Sequence, residues 1–321
     1  MHDTEAIRFY CGVSEQQWNH HPVAPGRYAC VSPVYGRTAA TKAVNRVCVP
    51  DRTLVIQDSG AFSDKERLSN EQALERQIAH AEQFGHTAPD GSIIGYAPQI
   101  THRASYDLLI DEKWEGGIRH KARWSEQDAE LAVKMTVAAA HYLSQHRNGL
   151  GAVLSAQGVS ARQYLKCAEQ IIPFMVDGDI FGLGGWCITG KMPAQMLPVF
   201  RETMHMLIPF LASEGVKLLH IWGVIYPKAL GELLKLCDMH GLKLSTDSAG
   251  PQVKPCFGSW GYGSWHDPAY QRPSAEIRGL ERARHVELTR DWLDHFPERE
   301  PECYRFVPIK QKPVQLELLA S

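Results

Sequence analysis

The chain has 321 residues, enough for one large core or two modest ones, and a single barrel of that length is ordinary. Apolar residues make up 44 % and charged residues 22 %, near globular values, which excludes a disordered or fibrous chain. Lys and Arg (34) nearly balance Asp and Glu (36), so no global field attracts nucleic acid, and any such partner must be held by a local basic surface.

In chain order, the first ten residues carry Asp3, Glu5 and Arg8 and no apolar core, which argues against a secretory signal and for a cytoplasmic protein. No apolar run approaches the ~20 residues that span a bilayer, so no membrane partner is expected. Short apolar runs, most ending in Gly, Asp, Ser or Gln, predict strands at 28–32, 54–58, 93–97, 108–111, 152–157, 180–184, 218–223 and 242–247. Helical spacing predicts helices at 70–84, 126–146, 161–172, 193–211, 227–240 and 275–296. Ser125 and Ser160 stand where N-caps belong, Pro193 and Pro227 fall in first turns, and Gly241 closes the fifth helix. The sixth, rich in Arg and Glu, reads as a solvated outer face, and 308–321 as a tail with a final apolar patch. Eight strands alternating with helices predict an α/β fold, a (β/α)8 TIM barrel forming a single domain over 1–321. A doubly wound open sheet is the architectural alternative.

Eight cysteines, at 11, 30, 48, 167, 187, 237, 256 and 303, form no CxxC or CxC pair and read as buried thiols. Cys256, His266 and Cys303 leave a structural zinc open, but their spacing is far from a zinc signature, and no cofactor is expected.

In a barrel, chemistry sits just past the C-terminal ends of strands. Four predicted ends carry polar groups: Gln57-Asp58-Ser59-Gly60-Ala61-Phe62, Ile110-Asp111-Glu112, Ser155-Ala156-Gln157-Gly158 and Ser245-Thr246-Asp247-Ser248. A fifth, Gly182-Leu183-Gly184-Gly185-Trp186, leaves the backbone bare enough for a flat ligand. Asp-Ser-Gly is also good turn chemistry, so each aspartate alone reads equally as a cap or turn residue. Their joint occurrence with Asp111 and Gln157 at strand ends favours a site.

These segments resemble the tRNA-guanine transglycosylase superfamily. DSGAF (58–62) is similar to its DSGGF motif, and LLIDE places Asp111 at its base-binding aspartate. SAQGVSARQYL, FGLGGWCITG, LHIWGV and TDSAG follow in the family's order, and the resemblance covers roughly 50–255, leaving 256–321 divergent. It implies that Asp247 is a nucleophile forming a covalent intermediate at C1′ and Asp58 a general acid/base. It further implies that Asp111 reads the guanine N1–H and amino edge, and that Gln157 and the Gly184–Gly185 backbone, with Trp186 and Ser59 nearby, shape the base pocket. Because the base must leave the stack, Phe62, or more speculatively Tyr96, would stack on it, though core packing explains either ring equally well.

Three departures bear on the substrate. The family's CxCxxC…H zinc site is missing, so its zinc subdomain is not expected. The Pro-Thr-Arg segment that holds an anticodon loop is replaced by 248–254, and the pocket loop lacks the glutamate that supports an aminomethyl substituent. Together they resemble the DNA-modifying, DpdA-like branch and imply insertion of a preQ0-like 7-deazaguanine into DNA, with tRNA as the alternative polymer. A helper protein that opens the duplex is a further partner this reading allows. Lys254, Trp260 and Tyr262 are candidate nucleic-acid contacts, or equally a Gly-rich loop tucked onto the barrel. The basic cluster Arg119, His120, Lys121 and Arg123 reads as a phosphate contact or a solvated loop, and His220 as a hydrogen-bonded core residue.

Overall fold

A computed structural model describes residues 5–13, 27–34, 53–64, 67–83, 85–87, 93–95, 97–108, 110, 112–115, 118–121, 124–187, 189, 193–248 and 275–296. Twelve strands are found among them: β1 Ile7–Val13, β2 Tyr28–Val31, β3 Leu54–Gln57, β4 Gly85–Thr87, β5 Ile93–Gly95, β6 Ile100–Ala104, β7 Glu112–Glu115, β8 Ile118–Lys121, β9 Gly151–Ala156, β10 Ile180–Leu183, β11 Leu218–Ile221 and β12 Lys243–Ser248. The helices are α1 Asn70–Gln83, α2 Glu126–Gln145, α3 Ala161–Ile171, α4 Pro193–Ser213, α5 Pro227–His240 and α6 Ala275–Asp294. Eight strands close a barrel in the order β1-β2-β3-β6-β9-β10-β11-β12, every neighbouring pair parallel, and β12 returns to β1. The (β/α)8 TIM barrel is therefore realised, and the open sheet is excluded.

The strands are short, and their pleat divides the side chains. Ile7, Phe9, Cys11, Leu154, Phe181, Leu219, Ile221 and Leu244 face outward into one large core shared with the helices. Tyr10, Tyr28, Cys30, Ile56, Ala104, Val153 and Ile180 fill the inside, so the barrel is a packed core and not a pore. Helix ends follow local chemistry. The Ser125 side chain accepts from the Asp128 N–H at the start of α2, and Gly241, at φ 72°, ends α5 as a left-handed cap.

Two expected strands are corrected. Residues 93–95 do form a strand, but it pairs antiparallel with β4 in a separate hairpin, outside the barrel. The run 108–111 is no barrel strand. Leu108 and Ile110 instead pack with Ala129, Ala132, Trp124 and Val159 beneath α2, which explains their apolar character. Their places are taken by β6 and β1. The first hides behind Thr101, His102 and Arg103, whose polar groups find partners at Val55 O, Gly178 O and Gln57 Oε1. The second lies in a stretch whose charges conceal the alternation of Ile7, Phe9 and Cys11.

The solvated reading of α6 is also corrected. Val286, Trp292, Leu293 and Phe296 are buried in the main core, and Phe296 lies against Gly231 of α5. Their helical spacing makes an apolar stripe beneath the charged residues. No helix among the described residues is long and apolar enough to cross a membrane.

Candidate active site

Asp58 directly follows β3. Gln57 points outward, donating from Nε2 to Gln77 O of α1 at 2.7 Å, so the pleat turns Asp58 inward with Ile56. Its carboxylate accepts from its neighbour: Ser59 N–H donates to Oδ1 at 2.7 Å. Burial, then the charges of Asp247 and Asp107, push the Asp58 carboxyl up to about 6, against the lowering pull of the Ser59 and Gly60 amides. The three carboxylates thus share one electrostatic neighbourhood at one end of the barrel.

Helix α1 fixes this corner. Gln77 Nε2 donates to Asp58 O at 3.1 Å and to Ala104 O at 3.0 Å, joining the ends of β3 and β6. Arg76 donates to Ser59 O and to Asp64 Oδ1, each at 2.7 Å. Tyr106 OH donates to Asp64 Oδ2 at 2.8 Å, and Arg67 donates to the Tyr106 and Asp107 carbonyls at 3.0 and 2.9 Å. The loops after β3 and β6 are therefore one hydrogen-bonded unit.

Asp247 lies in β12, paired with Tyr10 of β1. Gly223 N–H donates to its Oδ1 at 2.7 Å, and His220 Nε2 stands 3.3 Å from the same oxygen. Among the described residues, Oδ2 has no partner. Thr246 Oγ1 lies within hydrogen-bond distance of the Ile221 and Val224 carbonyls, which ties the Gly223 turn to β12. Gly223 itself sits at φ 68°, and a Cβ there would come 2.8 Å from Cys187 Sγ, so glycine is required. Cys30, inside the barrel, has its thiol pushed well up by burial and by Asp247 and Asp58. It is a neutral neighbour of both aspartates.

Gln157, fully buried past β9, donates from Nε2 to Asp107 Oδ2, while its Oε1 has no partner among the described residues. The amide occupies the space a Cβ on Gly184 would fill, and Gly184 O accepts from Tyr164 OH at 2.6 Å. Gly185 follows at φ 79°, its missing Cβ also facing Gln157 Oε1. These groups form one polar corner: Asp107, Gln157, Gly184 and Gly185. Trp186 is adjacent in sequence, but its ring is fully buried, stacked on Tyr164 at 5.2 Å and edge-on to Phe200 at 5.1 Å. Its side chain belongs to the helix layer. Ser59 is buried, its Oγ accepting from Ala61 N–H at 3.3 Å, whereas Phe62 is 41 % exposed beside the Asp58 turn.

Asp107 was missed by sequence reasoning. It lies three residues past β6, 9 % exposed, in the strand-end place that the sequence assigns to Asp111. The signal was Ser-Tyr-Asp after the strand, hidden because β6 itself reads as polar. Asp111 lies outside the described residues, as do Tyr96, Arg123, Lys254, Trp260, Tyr262, Cys256, His266 and Cys303. Among the described residues, no group of three or more His, Cys, Asp or Glu is arranged to hold a metal ion.

The chain matches no protein-family profile and no curated protein. Among solved structures, one from Coccidioides immitis described as a candidate fructose-1,6-biphosphate aldolase aligns over 94 % of both chains, at 11 % identity and a TM-score of 0.40. At that level the likeness carries no argument, and the barrel rests on its own strand pairing.

Proposed function

We propose that the chain is a base-exchange enzyme that replaces guanine in a nucleic acid with a preQ0-like 7-deazaguanine, a glycosyltransferase working through Asp247 and Asp58. The observation that carries this reading is the pair itself. Asp247 presents one carboxylate oxygen tied by Gly223 N–H and a second with no partner among the described residues, and Asp58, raised to about 6, holds and accepts protons near neutral pH. In the exchange, Asp247 Oδ2 bonds to C1′ as the C1′–N9 bond breaks, and Asp58 gives its proton to the departing guanine. The incoming base then loses its N9 proton to Asp58 and attacks C1′, and the C1′–Oδ2 electron pair returns to Asp247.

The polar corner at Asp107, Gln157 and Gly184–Gly185 supports a flat heterocycle over a sugar. A carboxylate accepts from N–H groups along a base edge, and the amide presents a further donor and acceptor. Asp107 stands beside Asp111 as a candidate for the base-reading role that the resemblance gives to Asp111. DNA is favoured as polymer by the divergent segment 248–254, with tRNA as the other outcome. Incubation with labelled preQ0 and either duplex DNA or tRNA tests it. Label should enter DNA with wild type and not with Asp247→Asn. Incorporation into tRNA alone overturns the DNA assignment, and incorporation into neither overturns base exchange.

A further inference from the structure

We infer that Thr246 is a positioning residue for Asp247: its hydroxyl pins both ends of the turn whose middle amide holds the Asp247 carboxylate. The kinetic consequence rests on the base-exchange reading, whereas the geometry does not.

Thr246 and Asp247 are consecutive in β12, so the pleat sends their side chains to opposite faces. Asp247 shares the inner face with Tyr10, its partner on β1. Thr246 therefore turns outward, where it is fully buried opposite Ile221, the last residue of β11. Its Oγ1 stands 3.0 Å from Ile221 O and 2.5 Å from Val224 O. Both neighbours are carbonyl oxygens, which only accept, so the hydroxyl donates, and no titratable group enters the assignment. Between those two carbonyls the chain takes a left-handed step at Gly223, φ 68°, and Gly223 N–H donates to Asp247 Oδ1 at 2.7 Å. One strand thus grips one turn from both sides, Thr246 at its ends and Asp247 at its middle.

The remaining ties on the turn act at Trp222. Its N–H donates to Leu183 O at 3.0 Å, its Nε1 donates to Ser155 Oγ at 2.9 Å, and its carbonyl accepts from Cys187 Sγ at 3.4 Å. The far end, Val224, is held through Thr246. Without that hydroxyl the permissive backbone of Gly223 is anchored on one side, and its amide can turn away from Oδ1. Oδ2 then loses the fixed direction in which it meets C1′. A displacement of ~1 Å slows a chemical step on the order of 10²-fold. Asp107, Gln157, Gly184 and Gly185 lie outside this turn, so KM for the base should change little.

The test compares Thr246→Val, which keeps the shape and removes the donor, with Thr246→Ser, which keeps the hydroxyl. In the full chain carrying carbonyl-13C tryptophan and 15N-glycine, Trp–Gly pairs mark two amides, Gly223 and Gly261. The one that moves in Asp247→Asn is Gly223. Thr246→Val should shift that amide upfield and speed its exchange with solvent, and Thr246→Ser should leave it in place. An unmoved Gly223 amide in Thr246→Val overturns the inference, whether or not the protein exchanges bases. In exchange assays kcat should fall on the order of 10²-fold in Thr246→Val, with KM for the base little changed and Thr246→Ser restoring most of the loss. An unchanged kcat, a KM that rises as kcat falls, or no rescue by serine also overturns it. Should Thr246→Val fail to fold, Thr246→Cys, a weaker donor of similar size, is read in the same way. A Gly223 amide that moves as expected in a protein that exchanges no base upholds this inference and removes the base-exchange reading alone.

Discussion

At Asp58, desolvation and two neighbouring carboxylates act against two backbone amides, and the net effect raises the carboxyl from 3.8 to about 6. A carboxyl raised in the folded state binds its proton more tightly there than in the unfolded chain. Folding stability therefore falls as pH rises through that window, by roughly 3 kcal/mol for a shift of this size. Asp58→Asn should consequently raise the melting temperature at pH 8, with the difference vanishing below pH 4, while exchange drops ~10²–10⁴-fold. A melting curve in which the variant is less stable at pH 8 would refute the desolvation account. Gly184 yields a second test of the same kind. A methyl group there takes the place of the Gln157 amide, so Gly184→Ala should raise KM for the base at a stability cost of ~1–3 kcal/mol. Unchanged KM would separate Gln157 from base binding.

Among the elements, α1 holds the Asp58 corner although it carries neither Asp58 nor Asp247. Arg76 and Gln77 hold the carbonyls of Ser59, Asp58 and Ala104, so Arg76→Ala should let the Asp58 turn drift and reduce kcat by up to ~10²-fold. Retained kcat would show that the turn holds itself. A different clamp serves stability. Arg147 and Asp179 pair through 2.5 and 2.7 Å contacts, and Asp179 also accepts from the Ala152 and Val176 amides. With Asp179 fully buried, Arg147→Ala should cost ~3–5 kcal/mol in chemical denaturation and leave kcat per folded molecule unchanged. Legibility followed the same division. Strands whose outward and inward faces are both apolar, such as Val55-Ile56 and Ala152-Val153-Leu154, announce themselves in the sequence. The strand 100–104 does not, because its polar side chains are matched by partners far along the chain, and those matches exist only once the barrel has closed. Asp58, Gln157 and Asp247 were readable as strand ends. Asp107 was lost with the strand before it, and His220 was read as core without its carboxylate neighbour.

For the molecule as a whole, α6 completes the outer layer. Trp292 is fully buried and meets Phe296 at 5.6 Å, so Trp292→Ala should destabilise the barrel by ~3–5 kcal/mol. Removing 275–296 should leave a chain that aggregates. A stable truncated protein would mean that the apolar stripe on α6 is not needed. The backbone of α6 is also joined to the start of the barrel, since Ala6 N–H donates to Asp294 O at 3.3 Å. The pairing of β1 with β12, in which Tyr10 lies opposite Asp247, has a consequence in time. The partners of that seam lie more than two hundred residues apart in the chain, so its loop-closure entropy is met late, after most local helix and strand contacts have formed. Until the seam shuts, Asp247 has no fixed neighbour on its β1 side, and a partly folded chain carries both carboxylates without a working pair. Catalysis would then switch on with the last step of folding, and recovery of exchange during refolding would clock the closing of the ring.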